Sequence, residues 1–307
     1  GRPLALPVVP ADLAELPETE REQIGRFTAA ALGAMLGYRT KAIDAKMAIL
    51  GKAIEVLGSI PGRELSVRGL QQLIEDQDDT LVQAVGGLDG KHYKRLAEDL
   101  MTLMLQRENL LGTKGETLDI GTLLGKGLAN RARLSILNLQ FLGGSDAMDF
   151  WVSQFLVAVG RWAARHPAPG GQLQAVFLFD EADQYLPATR QPATKGPMEN
   201  LLRRARSAGL SLFLATQSPG DLDYKCRDQI RLWLIGRVKE PVAIAKLKPM
   251  LEAAKMDAAS RLSGQGTGQF FLVREREVTP VQTSPSLIPT AQVPEDRVLR
   301  LAVDPRS

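Results

Sequence analysis

Apolar residues recur at helical spacing through the first third of the chain, and beyond Leu134 they gather into short runs separated by amphipathic stretches. The stretches from Leu13 to Leu57 and from Leu65 to Leu111 are rich in Ala, Leu, Met, Glu and Lys, with few β-branched runs. They predict a mainly helical subdomain over residues 1–115. Pro61-Gly62 interrupts that pattern, Ser66 with Gln71 behind it has the chemistry of a helix entry, and Gly86-Gly87 with Asp89-Gly90 marks a loop.

Short apolar runs alternating with helices are how a parallel sheet covered on both faces reads, so residues 116–283 are expected to form an α/β core with a mostly parallel sheet. Five strands are expected, at 134–139, 175–179, 210–215, 231–235 and 269–273. Between the first two, Phe150, Trp151, Phe155, Leu156, Val159 and Trp162 share one helical face, which predicts a crossover helix whose aromatic residues serve packing. From Thr279 onward Pro280, Pro285, Pro289 and Pro294 keep the backbone extended. Residues 284–307 are accordingly expected to be a tail lying across a neighbouring surface.

Composition changes this picture little. With 307 residues, 44% apolar and 24% charged, the chain can bury a sizeable core and reads as an ordinary globular protein. A formal charge of +3 leaves any case for a nucleic-acid partner to local patches. One cysteine, Cys226, excludes an internal disulfide and a multi-thiolate metal site, and two histidines, His92 and His166, leave little for zinc. A reducing, cytoplasmic setting is expected, with no signal peptide and no membrane span, since no run approaches about eighteen apolar residues.

The chemistry concentrates where Ala175-Val-Phe-Leu-Phe179 is followed at once by Asp180-Glu181-Ala182-Asp183. A buried parallel strand there delivers two adjacent carboxylates to its carboxyl end, where ligands bind in open α/β sheets. Asp180 suits Mg²⁺, directly or through water, and Glu181 suits the polarisation of a water that attacks a γ-phosphate, which is the Walker B arrangement. Taken alone, the four residues equally fit an acidic turn that caps the following helix. The next αβ unit repeats the design: a helix with Leu201, Leu202, Arg203, Arg204 and Arg206 stops at Ser207-Ala208-Gly209, and a strand runs into Thr216-Gln217-Ser218-Pro219. Gln217 can sense a γ-phosphate or position the lytic water, with Thr216 in support. Three acidic residues, Asp180, Glu181 and Asp183, also admit a metal-dependent hydrolase, but no histidine lies nearby and no second acidic strand end accompanies them.

The run Arg206-Ser-Ala-Gly-Leu-Ser-Leu-Phe-Leu-Ala-Thr-Gln-Ser-Pro, one helix after Phe-Leu-Phe-Asp-Glu-Ala-Asp, resembles the HerA/FtsK superfamily of DNA-pumping ATPases, which includes conjugation coupling ATPases. The likeness covers roughly Leu134 to Val273, and Gly266-Thr-Gly-Gln-Phe-Phe-Leu-Val also fits it. It implies a RecA-like P-loop NTPase core that uses ATP and Mg²⁺, with Asp180 and Glu181 in the Walker B roles and Gln217 as sensor. It further implies a homo-oligomeric, hexameric ring acting on duplex DNA as a translocase or helicase, coupled in some members to a nuclease or other effector. In such rings an arginine reaches the neighbouring subunit's ATP, and Arg206 matches that position best, with Arg237 second. The small, basic loop Ala188-Thr-Arg-Gln-Pro-Ala-Thr-Lys-Gly196 could line a pore and touch DNA phosphates through Arg190 and Lys195, or be an ordinary exposed connection.

A P-loop ATPase also needs Gly-x-x-x-x-Gly-Lys-Ser/Thr, whose amides and lysine cradle the phosphates. The three Gly-Lys pairs, Gly51-Lys52, Gly90-Lys91 and Gly125-Lys126, are followed by Ala53, His92 and Gly127, and none has the upstream glycine. In the family the loop lies upstream of the helical section. The expectation is therefore a sequence that starts after the loop of a longer protein, and the alternative is a degenerate subunit of the same fold that scaffolds DNA or protein without hydrolysis. On either account these 307 residues by themselves are expected not to hydrolyse ATP efficiently.

Overall fold

The computed structural model describes residues 4–5, 7–38, 44–111, 116–252, 257–275 and 277–303, which form two compact units. One comprises Arg2–Val176 with Pro192–Ser211, and the other Phe177–Gln191 with Leu212–Ser307.

The first unit is built on the helices the apolar spacing predicts: α1 (Glu18–Met35), α2 (Asp44–Ser59), α3 (Val67–Glu75), α4 (Asp79–Val85) and α5 (Gly90–Gln106). Their starts follow local chemistry. The Ser66 hydroxyl accepts from Gly69 N at 3.2 Å, and the Asp78 and Asp89 carboxylates accept from Thr80 N and Lys91 N at 3.0 Å each, occupying amide donors that an unpaired first turn leaves open. The buried stripes obey helical spacing, as with Leu70, Leu73 and Ile74 on α3 and Tyr93, Leu96, Leu100 and Leu103 on α5. The helix Ser145–Arg165 packs against α1 and against the helix Lys195–Arg204 and buries Phe150, Trp151, Phe155, Leu156 and Val159 as expected. Asp12 pairs with Arg161 and Arg165 and fastens the segment before α1 to it. A small parallel pair, β1 (Leu4–Ala5) with β2 (Glu116–Thr117), belongs to the same unit.

Strands β3 (Ala175–Phe179) and β4 (Leu210–Leu214) pair with each other. Gln174 N donates to Gly209 O at 2.8 Å, and five residues further on Ala215 N donates to Phe179 O at 2.9 Å, so the two run parallel. Both strands enter the second unit, at Phe177 and Leu212. There β5 (Leu232–Ile235), β6 (Gln269–Arg274) and β7 (Glu277–Gln282) form an antiparallel sheet in that order. One of its faces, with Ile235, Phe271 and Val273, buries against Leu247 and Leu251 of the helix Pro241–Leu251 and against Ala258 and Leu262.

The structure departs from the sequence expectations in four places. Residues 134–139 form no ladder, and Leu134 and Ile136 are 86% and 81% exposed. Alternation favours an extended backbone, but a ladder needs a neighbouring strand edge as well. β5–β7 form a separate sheet that is antiparallel throughout, and β7 follows β6 through a tight turn at Glu275 (φ 52°), which can only join antiparallel neighbours. Residues 277–282, expected partly in the extended tail, are that strand, with Pro280 accommodated at the sheet edge. Within the expected extended tail, Glu295–Val303 form a helix, since Pro294 can directly precede a helix and Glu295 and Asp296 favour its first turn.

Candidate functional site

Both polar strand ends lie in the second unit, and the local ladder sets their distance. β3 ends at Phe179, Ala215 N donates to Phe179 O at 2.9 Å, and Ala182 N donates to Ala215 O at 2.8 Å, which continues the pairing one step beyond the strands. That register brings residues 181 and 217 together. Gln217 Nε2 donates to Glu181 Oε1 at 2.9 Å, so the two side chains emerge side by side from neighbouring parallel strands.

The turn after β3 is tight. Glu181 has φ 50° and ψ 48°, a left-handed conformation rare for a residue with a side chain, and Gln184 N donates to Glu181 O at 3.0 Å to start the single helical turn Ala182–Tyr185. Non-glycine residues held in this region cluster at functional sites, where the surrounding structure over-determines them. Asp180 is exposed, and its Oδ1 accepts from Glu181 N at 3.0 Å. Thr216 donates to Asp183 and accepts from Ser218 N at 2.9 Å. Phe179 stacks with Phe177 and meets Tyr185 edge-on, a small aromatic cluster behind the turn.

The remaining candidates fall elsewhere. Arg237 is exposed just after β5, and Arg190 is exposed in the loop after the Ala182–Tyr185 turn. Arg206 is exposed in the 3-10 turn that ends the helix Lys195–Arg204, in the other unit; on that helix Arg203 faces solvent and Arg204 pairs with Glu20 at 3.2 Å. Lys195 is only 4% exposed at the start of the same helix, which corrects its assignment to a DNA-touching loop: packing of that helix takes its side chain out of solvent. Of the three Gly-Lys pairs, Gly51-Lys52 lies inside α2, Gly90-Lys91 opens α5, and Gly125-Lys126 sits in a turn after the short helix Ile120–Leu123, so none follows a strand as a phosphate-binding loop must. Asp183 was raised by the sequence only as a member of an acidic trio; its bond to Thr216 was not legible because it depends on strand register.

Asp180 fits Mg²⁺ in the chemistry of its donors. It is a hard, exposed oxygen ligand with lone pairs beyond the one that accepts from Glu181 N, and Mg²⁺ beside a nucleotide takes one or two protein carboxylates plus waters and phosphates. Among the described residues no group of three or more His, Cys, Asp or Glu could hold a metal ion.

No family model matches the sequence, and no curated protein does. Solved structures do match its fold. VirB4 of Thermoanaerobacter pseudethanolicus superposes with a TM-score of 0.59 at 12% identity over 94% of this chain and 75% of that one. The bacterial conjugative coupling protein TrwB superposes with a TM-score of 0.50 at 10% identity over 92% of this chain and 73% of that one. The genome-packaging NTPase B204 of Sulfolobus turreted icosahedral virus 2 is matched over 45% of this chain and 62% of that one, at 22% identity and a TM-score of 0.35. The VirB4 and TrwB matches, each over more than nine-tenths of the chain, show that it has a RecA-like fold. No helix among the described residues is long and apolar enough to cross a membrane.

Proposed function

We propose that this chain supplies the Walker B and sensor half of an ATP-driven DNA translocase or helicase of the HerA/FtsK type. The observation that carries the reading is the 2.9 Å bond from Gln217 to Glu181 at the ends of adjacent parallel strands, on a backbone turn strained at Glu181. A glutamate and a glutamine placed together at a ligand-facing sheet edge are equipped to hold and deprotonate a water beside a terminal phosphate. TrwB, whose fold this chain shares, has been solved with the GTP analogue GDPNP, which supports a nucleotide as the ligand.

In this mechanism Asp180 would hold Mg²⁺, which with ATP bound would offset the charge on the phosphates. Glu181 accepts the proton of the attacking water through a carboxylate oxygen, while Gln217 keeps that carboxylate aimed by donating to its Oε1. Arg206 and Arg237 are the candidates for an arginine presented to a neighbouring subunit's nucleotide, in a homo-oligomeric and hexameric ring. Arg190 would contact duplex DNA through phosphates, which positions the duplex without reading its sequence.

The phosphate-binding loop would come from polypeptide outside these 307 residues. Two features support that reading. Among the described residues β4 pairs only with β3 and β5 only with β6, and apolar side chains on these strands stay uncovered, Leu178 at 70%, Phe213 at 56% and Leu234 at 56% exposed. A strand and helix bearing the loop would cover such positions, whereas stable surfaces seldom leave them open.

The test is DNA-stimulated ATP turnover by protein that contains a phosphate-binding loop together with this chain, compared with its Glu181→Gln form. Removing the base is expected to lower turnover by about 10²- to 10⁴-fold. Equal turnover in the two forms would sink the assignment of Glu181, and no turnover in the unaltered protein would favour a non-hydrolysing scaffold of the same fold.

A further inference from the structure

Thr216 Oγ1 is committed at both its donor and an acceptor position: it donates its one proton to Asp183 and accepts from Ser218 N at 2.9 Å. A hydroxyl so engaged has no proton left to offer a phosphate. What it does instead is join the two strand ends, because Asp183 lies on the turn after β3 and Thr216 directly follows Ala215, whose backbone is bonded to both Phe179 and Ala182. The cross-links between the two segments are Phe179 with Ala215, Ala182 with Ala215, Asp183 with Thr216, and Glu181 with Gln217.

We propose that Asp183 and Thr216 are positioning residues, a side-chain latch that holds Glu181 in its left-handed conformation and Gln217 within reach of it. The proposal rests on the reading of Glu181 and Gln217 as the hydrolytic pair. The physical need is specific. The Glu181–Gln217 bond joins two solvent-accessible side chains, so by itself it is too weak to fix the geometry against water, and Glu181's backbone conformation opposes it. The latch lies one step deeper, with both partners half-buried, and a hydroxyl bonded to a carboxylate is a charge-assisted contact of about twice the strength of a neutral one. Asp183 is two residues from Glu181 and Thr216 is next to Gln217, so fixing the first pair leaves the second little freedom to separate.

The experiment is solution NMR of the full 307-residue chain without nucleotide, following the side-chain amide of Gln217, which is assigned by its loss in Gln217→Ala. In the unaltered chain that resonance is expected to lie away from those of exposed glutamines and to return to them in Glu181→Ala. Thr216→Val and Asp183→Ala are each expected to cause the same return while circular dichroism and the backbone resonances of β5–β7 stay unchanged. Thr216→Ser, which keeps the hydroxyl, and Asp183→Asn, which keeps an acceptor oxygen, are expected to retain the shift. The latch is overturned if Thr216→Val or Asp183→Ala leaves the Gln217 resonance where it was; should one of the two fail to fold, the other answers from the opposite partner. Because no nucleotide is present, this result is independent of ATP turnover. Loss of the latch would leave the hydrolytic reading to its own assay, and absence of hydrolysis would leave the Asp183–Thr216 contact as a structural one without a catalytic part.

Discussion

Glu181 combines a carboxylate suited to chemistry with a backbone (φ 50°, ψ 48°) that costs a residue bearing a Cβ about 1–2 kcal/mol. If that strain is kept for function, glycine should relieve it. Glu181→Gly is expected to be more stable than Glu181→Ala by about 1 kcal/mol in urea unfolding, since both lose the side chain and only alanine keeps the strain. Equal midpoints would show that the turn is relaxed. Single residues elsewhere were harder to place from their type. Lys195 and Arg190 are both basic and lie in one loop of the sequence, yet the first is buried and the second exposed, because only one of them falls on the inward side of a packed helix.

At the scale of elements, the junction before β4 shows how local chemistry sets the site's register. Gly209 has φ 60°, a Cβ there would lie 2.0 Å from Gln172 O, and its own carbonyl accepts from Gln174 N at 2.8 Å. It therefore ends the helix before β4, turns the chain, and starts the parallel pairing with β3 in one step. Gly209→Ala is expected to destabilise the protein by more than the ~1 kcal/mol of an ordinary left-handed alanine, through the clash, and to loosen the β3–β4 register. Thermal unfolding gives the first and hydrogen exchange at Ala215 N the second; an unchanged exchange rate would mean that the register is set elsewhere. The same scale explains the missed ladder at 134–139. Its short apolar run was read as a strand, but hydrogen bonding to a neighbour is a property of two segments and cannot be read from one.

For the whole molecule, the proposed DNA contact is the property least determined by any single element. A formal charge of +3 spread over 307 residues gives no strong overall field, so the exposed Arg190 would have to act locally. Arg190→Ala is expected to weaken duplex binding to a similar degree for unrelated sequences and to flatten the dependence of log affinity on log salt by about one unit, as measured by fluorescence anisotropy over a salt series. An unchanged slope would remove Arg190 from the interface. What the sequence determined by itself was what depends on neighbours along the chain: the helices with their Ser66 entry, strands β3 to β6, and two strand ends bearing Asp180, Glu181, Thr216 and Gln217. Only the tertiary structure decided which of these groups meet: that Gln217 bonds Glu181, that Asp183 bonds Thr216, that β5–β7 run antiparallel, and that Lys195 is buried. The physical reason is range. Propensity, capping and hydrophobic period act over a few residues, whereas the pairs Glu181–Gln217 and Asp183–Thr216 join residues more than thirty apart, whose meeting is chosen by the energy of the whole packed state.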